Sequence, residues 1–153
     1  MAIEGYFIDS NLLLLFVAGR ASRNIIAKHR RLQAYTVDDY EILLDLLDRV
    51  EQVFVTPHTL TETSNLLAQH GKPERSRLFL QLRRLIRDSK EVVVAGTDAS
   101  NNRAFRQLGI TDAALLEVIS EKTPLLTVDL DLYMEAARKE PNSAINFNYL
   151  REF

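Results

Sequence analysis

A parallel α/β sheet covered by helices on both faces is the fold class this sequence predicts. Short apolar runs recur along the chain, each closed by a turn or capping residue, and longer stretches with helical spacing separate them. Gly and Pro are sparse, at 5 and 4 residues, and punctuate short elements without marking a linker, a repeat or a low-complexity tract. The 153 residues, with 46% apolar side chains, suit one domain with a core of its own.

Tyr6-Phe7-Ile8 reads as a buried strand, and Asp9-Ser10-Asn11 turns it into a helix over Asn11 to Val17. Ser22 to Gln33 reads as a second helix, basic on one side. Thr36 caps a third, with Asp39 three residues on; Leu43, Leu44, Leu46 and Leu47 face its core. Val53-Phe54-Val55 is the next strand, stopped by Thr56-Pro57, and His58 to Gln69 the next helix. Gly71-Lys72-Pro73 breaks it. Glu74 to Arg87 is then a basic amphipathic helix with Leu78, Leu82 and Leu85 inward. Val92-Val93-Val94 is expected as a third strand, Ser100 to Leu108 as a helix ended by Gly109, and Thr111 as the cap of a helix to about Glu121. Leu125 to Val128 is a fourth strand, Leu130 to Lys139 a helix, and Ala144 to Phe147 a last edge strand.

Composition narrows the chemistry. There is no cysteine, which excludes disulfides and thiolate metal sites and fits a cytoplasmic protein. No stretch reaches the roughly 18 apolar residues of a membrane helix, so no membrane association is expected. Glu4 and Asp9 stand where a secretion signal would be basic and then apolar. The net charge of −2 hides local basic segments. Arg20 to Arg31 holds five basic residues and no acid, and Lys72 to Lys90 holds seven against Glu74 and Asp88. Such segments attract phosphate backbones; the plainer reading is two solvated helix faces.

Scattered carboxylates are the candidate chemistry. Asp9 and Asp129 directly follow strands, where parallel sheets collect their ligands. Asp112 falls in a first helical turn, and Glu62 shares a helix face with Leu66. Each has an ordinary explanation, because Asp caps helices and acids favour helix N-termini. Taken together, carboxylates that converge repel one another unless protonated or bound to a cation. Oxygen donors with no Cys and few His suit Mg2+ or Mn2+, and such ions support phosphodiester cleavage. Asn11 adds an amide beside Asp9. Thr127 falls on the same side of its strand as Asp129, and Asp131 is a further carboxylate two residues on.

Phe7-Ile8-Asp9-Ser10-Asn11-Leu12-Leu13, Thr56-Pro57-His58-Thr59-Leu60-Thr61-Glu62, Ile110-Thr111-Asp112-Ala113-Ala114-Leu115 and Leu125-Leu126-Thr127-Val128-Asp129 occur in that order across nearly the whole chain. With these motifs the sequence resembles the PIN-domain family, especially the VapC-type toxins of bacterial toxin–antitoxin pairs. The resemblance implies a three-layer α/β/α sandwich with a mainly parallel sheet, and an acidic pocket of Asp9, Glu62, Asp112 and Asp129 binding Mg2+ or Mn2+. It implies endonucleolytic cleavage of single-stranded or looped RNA, with Asn11 and Thr127 supporting the site by hydrogen bonds. It also implies a homodimer and an antitoxin partner. Ala21 to Leu47 supplies more helix between the first two acidic motifs than typical toxin members have.

Arg83, Arg84 and Arg87 are the candidate RNA-backbone contacts, Arg83 and Arg87 sharing a helix face. Two other enzyme classes fit less well. Haloacid-dehalogenase-like chemistry needs an Asp two residues after its nucleophile, where this chain has Asn11. Dinucleotide binding needs a Gly-rich loop, and Tyr6 to Gly19 contains no G-x-G-x-x-G. A catalytically silent RNA- or protein-binding module is the alternative function. The leucine-rich segments Leu12–Leu15 and Leu43–Leu47 fit either a core or a dimer face.

Overall fold

The computed structural model describes residues 2–151. Five parallel strands form one sheet: β1 (Gly5–Ile8), β2 (Gln52–Val55), β3 (Lys90–Glu91), β4 (Leu125–Thr127) and β5 (Ala144–Asn146). Their spatial order is β3-β2-β1-β4-β5. The chain builds outward from β1 to β3, then returns to the other side of β1 for β4 and β5. That reversal makes the gap between β1 and β4 the topological switch point, and its carboxyl end is where such sheets receive ligands.

Side-chain alternation splits the interior into two layers. On β1, Tyr6 and Ile8 enter one core and Phe7 the other. The first core is organised by α1 (Ser10–Ala21), in which every residue from Leu12 to Gly19 is buried. Onto α1 pack α2 (Arg23–Lys28), α3 (Val37–Asp48), α4 (Pro57–Leu67) and α5 (Glu74–Asp88). A helix apolar all round needs such a cover on every side, and each buried leucine contributes about 2 kcal/mol. The second core sets Phe7, Phe54 and Leu125 against Leu115 and Leu116 of α8 (Ile110–Val118) and Leu132 and Ala136 of α9 (Leu130–Lys139). A smaller cluster joins α6 (Gly96–Ser100) to α8 through Ala99, Ala113 and Ala114, while α7 (Phe105–Leu108) also packs on α8. The sandwich of helices, parallel sheet and helices is the predicted fold class. Among the described residues, no helix is long and apolar enough to cross a membrane.

Several predicted elements change in detail, each for a local reason. The helix expected from Ser22 to Gln33 stops at Lys28. His29 turns extended, its ring fully buried, stacked on His70 and bonded to the Leu66 carbonyl. The strand expected at Val92–Val94 lies earlier, at Lys90–Glu91. Val92 still donates to the Val55 carbonyl, but β2 ends there and Thr56 starts a helix, so Val93 has no strand to pair with and is 77% exposed. The helix expected from Ser100 to Leu108 is broken because the Asn102 side chain accepts from the Ala104 amide. Gly109, at φ 87°, both ends α7 and begins α8, so the cap expected at Thr111 belongs to Gly109. The last strand ends at Asn146, and α10 (Phe147–Arg151) follows it. Thr36 and Asp39 form the expected capping box.

At Gly19, α1 packs directly against Tyr40 of α3. A Cβ there would stand 2.2 Å from the ring of Tyr40, which is itself buried. Gly19→Ala is expected to destabilise the protein by about 2–3 kcal/mol, lowering the melting temperature by roughly 5–10 °C. A thermal melt followed by circular dichroism measures this; an unchanged midpoint would mean that α1 does not press on Tyr40.

Candidate functional site

Asp9 leaves the end of β1 at the switch point, and its side chain is 5% exposed. One carboxylate oxygen accepts the Leu12 amide at 3.0 Å, capping α1. The other accepts the Thr127 hydroxyl at 2.5 Å and the Val128 amide at 3.0 Å. The Thr127 hydroxyl in turn accepts the Asp129 amide at 3.0 Å. A single buried carboxylate thus holds the end of β1, the start of α1 and the end of β4 together. Burial pushes the Asp9 carboxyl up from its ordinary range. The three donors pull it back, and the nearby Asp129 pushes it up again.

Asp129 is exposed and caps α9, accepting the Leu132 amide at 3.1 Å. Asp112 sits in the first turn of α8. Burial, and after it the negative charges of Asp129, Glu62 and Asp9, push its carboxyl up to about 7, and no hydrogen bond among the described residues offsets them. Glu62 is exposed on α4. It lines an open groove of about 300 Å³ whose opposite wall is Ile110 and Thr111, the two residues before Asp112. The structure therefore brings Asp9, Glu62, Asp112 and Asp129 into one electrostatic neighbourhood at the switch point.

The supporting residues divide. Thr127 makes the hydrogen bond expected of it. Asn11 is exposed in the first turn of α1, and its amide makes no hydrogen bond among the described residues. Asp131 is exposed in the first turn of α9. Arg83, Arg84 and Arg87 are exposed on α5. Gln52, at the start of β2, donates to the Asp88 carbonyl at 3.0 Å, which puts the last turn of α5 at the amino end of the sheet. The acids occupy the opposite end, so these arginines do not join them.

Sequence reasoning missed three neighbours. Burial, and after it the negative charge of Asp9, raises the Tyr35 phenol to about 12. Arg151 lies 4.7 Å over the Tyr35 ring and pairs with Asp39 at 3.1 Å. Asn148 donates to the Val128 carbonyl at 3.3 Å, bracing the loop that carries Asp129. Nothing in their local sequence marks them, because all three reach the site through long-range packing.

The donor set consists of hard carboxylate oxygens whose mutual repulsion a divalent cation would relieve, which fits Mg2+ or Mn2+. In their present positions, no three His or carboxylate side chains among the described residues stand in a metal-holding arrangement. The chain matches no family model, and no curated protein is significantly similar to it.

The shift at Asp112 has a sign in stability. Its carboxyl is at about 7 when folded and near 3.8 when unfolded, so the folded state binds more protons between those values. Stability of the metal-free protein should then fall as pH rises from about 4 to about 7, and level off above that. Asp9, also raised, adds in the same direction. Urea denaturation in EDTA across this range checks it. Asp112→Asn should flatten the slope and raise stability at pH 8 by about 1 kcal/mol, after allowing for partial solvent screening. An identical slope in wild type and variant would show that Asp112 does not carry the repulsion.

Proposed function

We propose that this protein is a metal-dependent endoribonuclease whose acidic site comprises Asp9, Glu62, Asp112 and Asp129. The observation that carries this reading is the convergence of carboxylates from four separate chain segments on the switch point of a parallel sheet. The motif resemblance to PIN-domain ribonucleases points to the same four acids. Asp112, Asp129 and Glu62 would hold Mg2+ or Mn2+, with Asp9 offering its remaining lone pair. When bound, such an ion activates water and screens the charge that builds on a cleaved phosphodiester. The chain's own contribution is positional. Thr127 and the Val128 amide fix the Asp9 carboxylate, the Leu132 amide fixes Asp129, and Asn148 keeps the intervening backbone from shifting. A divalent cation at this site would be held by Asp112 in its ionised form.

The narrower reading is the toxin of a toxin–antitoxin pair, acting as a homodimer in the cytoplasm with an antitoxin as its partner; it rests on the resemblance. A second function keeps one observation in its favour. A catalytically silent RNA- or protein-binding module would use Asp9 as a purely structural carboxylate, and the acids as they stand do not form a three-ligand metal cage.

Incubating a mixed single-stranded RNA pool with Mg2+ or Mn2+ separates the two. Wild type is expected to cut, and EDTA, Asp9→Asn and Asp112→Asn to reduce cutting to background. Thr127→Val, which removes a support and no ligand, should lower the rate by about 10–100-fold. Cutting that survives in both EDTA and Asp112→Asn would end the metal-nuclease reading. Growth arrest on bacterial expression of wild type, and not of Asp112→Asn, is the expected outcome for a toxin.

A further inference from the structure

The groove beside the acids has features that phosphodiester cleavage alone does not need. On α4, His58, Thr61, Glu62 and Asn65 follow at helical spacing and share one face. That face looks across about 300 Å³ of open space at Ile110 and Thr111 of α8. The groove is at the small end of ligand-sized clefts and open on one side. Its walls differ in character. Asn65 and Thr61 are exposed polar groups, and Ile110 is a large apolar side chain left 41% exposed. His58 is fixed by contact between its Nε2 and the Val94 carbonyl at 3.1 Å; since a carbonyl only accepts, Nε2 carries a proton and donates it there. One of the acids, Glu62, lines the cleft, and Asp112 follows the lining residue Thr111 in sequence.

We propose that this groove is a base-binding subsite that receives one unstacked nucleobase of single-stranded RNA, next to the phosphodiester held at the acids, and selects adenine. The inference rests on the nuclease reading for the position of the phosphodiester. Single-stranded RNA is read in this way, by splaying a base out, packing its face on an apolar or planar group and hydrogen-bonding its edge. Ile110 supplies the apolar wall. Asn65 supplies an amide whose donor and acceptor match the N6 and N7 edge of adenine, the pairing that Asn favours. Thr61, one turn before Asn65, adds a hydroxyl on the same face. Guanine presents two acceptors on that edge, and one of them would oppose the amide oxygen of Asn65.

The test has a binding arm and a cutting arm. Short fluorescent RNAs, all uridine except for one central A, G, C or U, are titrated by anisotropy with Ca2+ in place of Mg2+ or Mn2+. Wild type should favour the adenine RNA by about tenfold, and Asn65→Ala should lose most of that margin. Thr61→Val should narrow it less. Asn65 is exposed, so its substitution leaves the core intact. Equal affinity of wild type for all four RNAs, or no affinity for any, overturns the subsite, as does a margin unchanged in Asn65→Ala. Sequencing the ends cut from a random RNA pool with Mn2+ should show adenine enriched at a position flanking the break. Cutting with no flanking preference overturns the subsite while the nuclease stands. Adenine-selective binding with no cutting keeps the subsite and removes the nuclease.

Discussion

Asp9 holds the structure together at its point of greatest topological demand. A parallel sheet that reverses its building direction leaves a gap in its helical cover between the first strand and the strand that returns beside it. Here a buried carboxylate spans that gap. It accepts from the amide of Leu12 on one side, and from the Thr127 hydroxyl and Val128 amide on the other. A carboxylate out of water costs several kcal/mol unless donors replace its hydration. These three do so, and each belongs to a different feature: the start of α1, the last residue of β4 and the loop that leads to α9. If any of them moved, the charge would be left exposed to the apolar core. The direction of α1 and the placement of Asp129 are therefore set by the same group.

The acids at the site are also placed by the helices that present them. Asp9 caps α1, Asp129 caps α9, and Asp112 lies in the first turn of α8. Three helix N-termini, each with free amides and the positive end of a macrodipole, thus face one region. This reconciles two explanations that are competitors in the sequence alone. Capping accounts for why an acid is tolerated at Asp9 and Asp129, and the helix dipole for Asp112. The convergence of the caps is a property of the fold, produced by parallel strands that all end on the same edge. The cations are placed differently. The basic last turn of α5 is at the other end of the sheet, and Arg151 is occupied by Asp39 and the Tyr35 ring. Neither the last turn of α5 nor Arg151 pairs with the acids at the switch point.

How far the sequence discloses this arrangement depends on the range of the forces involved. β1, α1 and the cap between them are legible because a short apolar run, an Asp and a leucine helix are local signals. The capping box at Thr36 and the inward leucines of α5 are legible for the same reason. Val92–Val94 misleads because its valines have strand propensity but no partner; β2 has already turned at Thr56. The early end of α2 is set by His29 burying its ring against His70, a residue 41 positions away, and no local pattern encodes that contact. At the site, Asp9, Asp112, Asp129 and Thr127 stand out at strand ends and helix starts, and Glu62 by the helix face it shares with Leu66. Asn148, Tyr35 and Arg151 do not, because their role comes from packing the last helix against the segment before α3. The arginines of α5 stand out as charges, yet their position at the amino end depends on strand direction, which composition does not carry.

Stability alone explains some of these acids and not others. Asp9 and Asp129 satisfy backbone amides, so a protein with no reaction to perform would still keep them. Asp112 is different. It is partly buried, it gains no donor, and it is pushed toward the protonated form by three other carboxylates. An asparagine or alanine in the first turn of α8 would remove that repulsion and leave the helix intact. Glu62 likewise contributes to the repulsion from an exposed position where a neutral residue would serve the fold as well. Neutral residues at both positions would stabilise the fold, so folding by itself supplies no reason for this repulsion. Repulsion retained at a ligand-accepting edge, and relieved by a divalent cation, is what a site built for that cation would show. The case for chemistry at the switch point therefore rests most on the two carboxylates that the fold has least reason to keep.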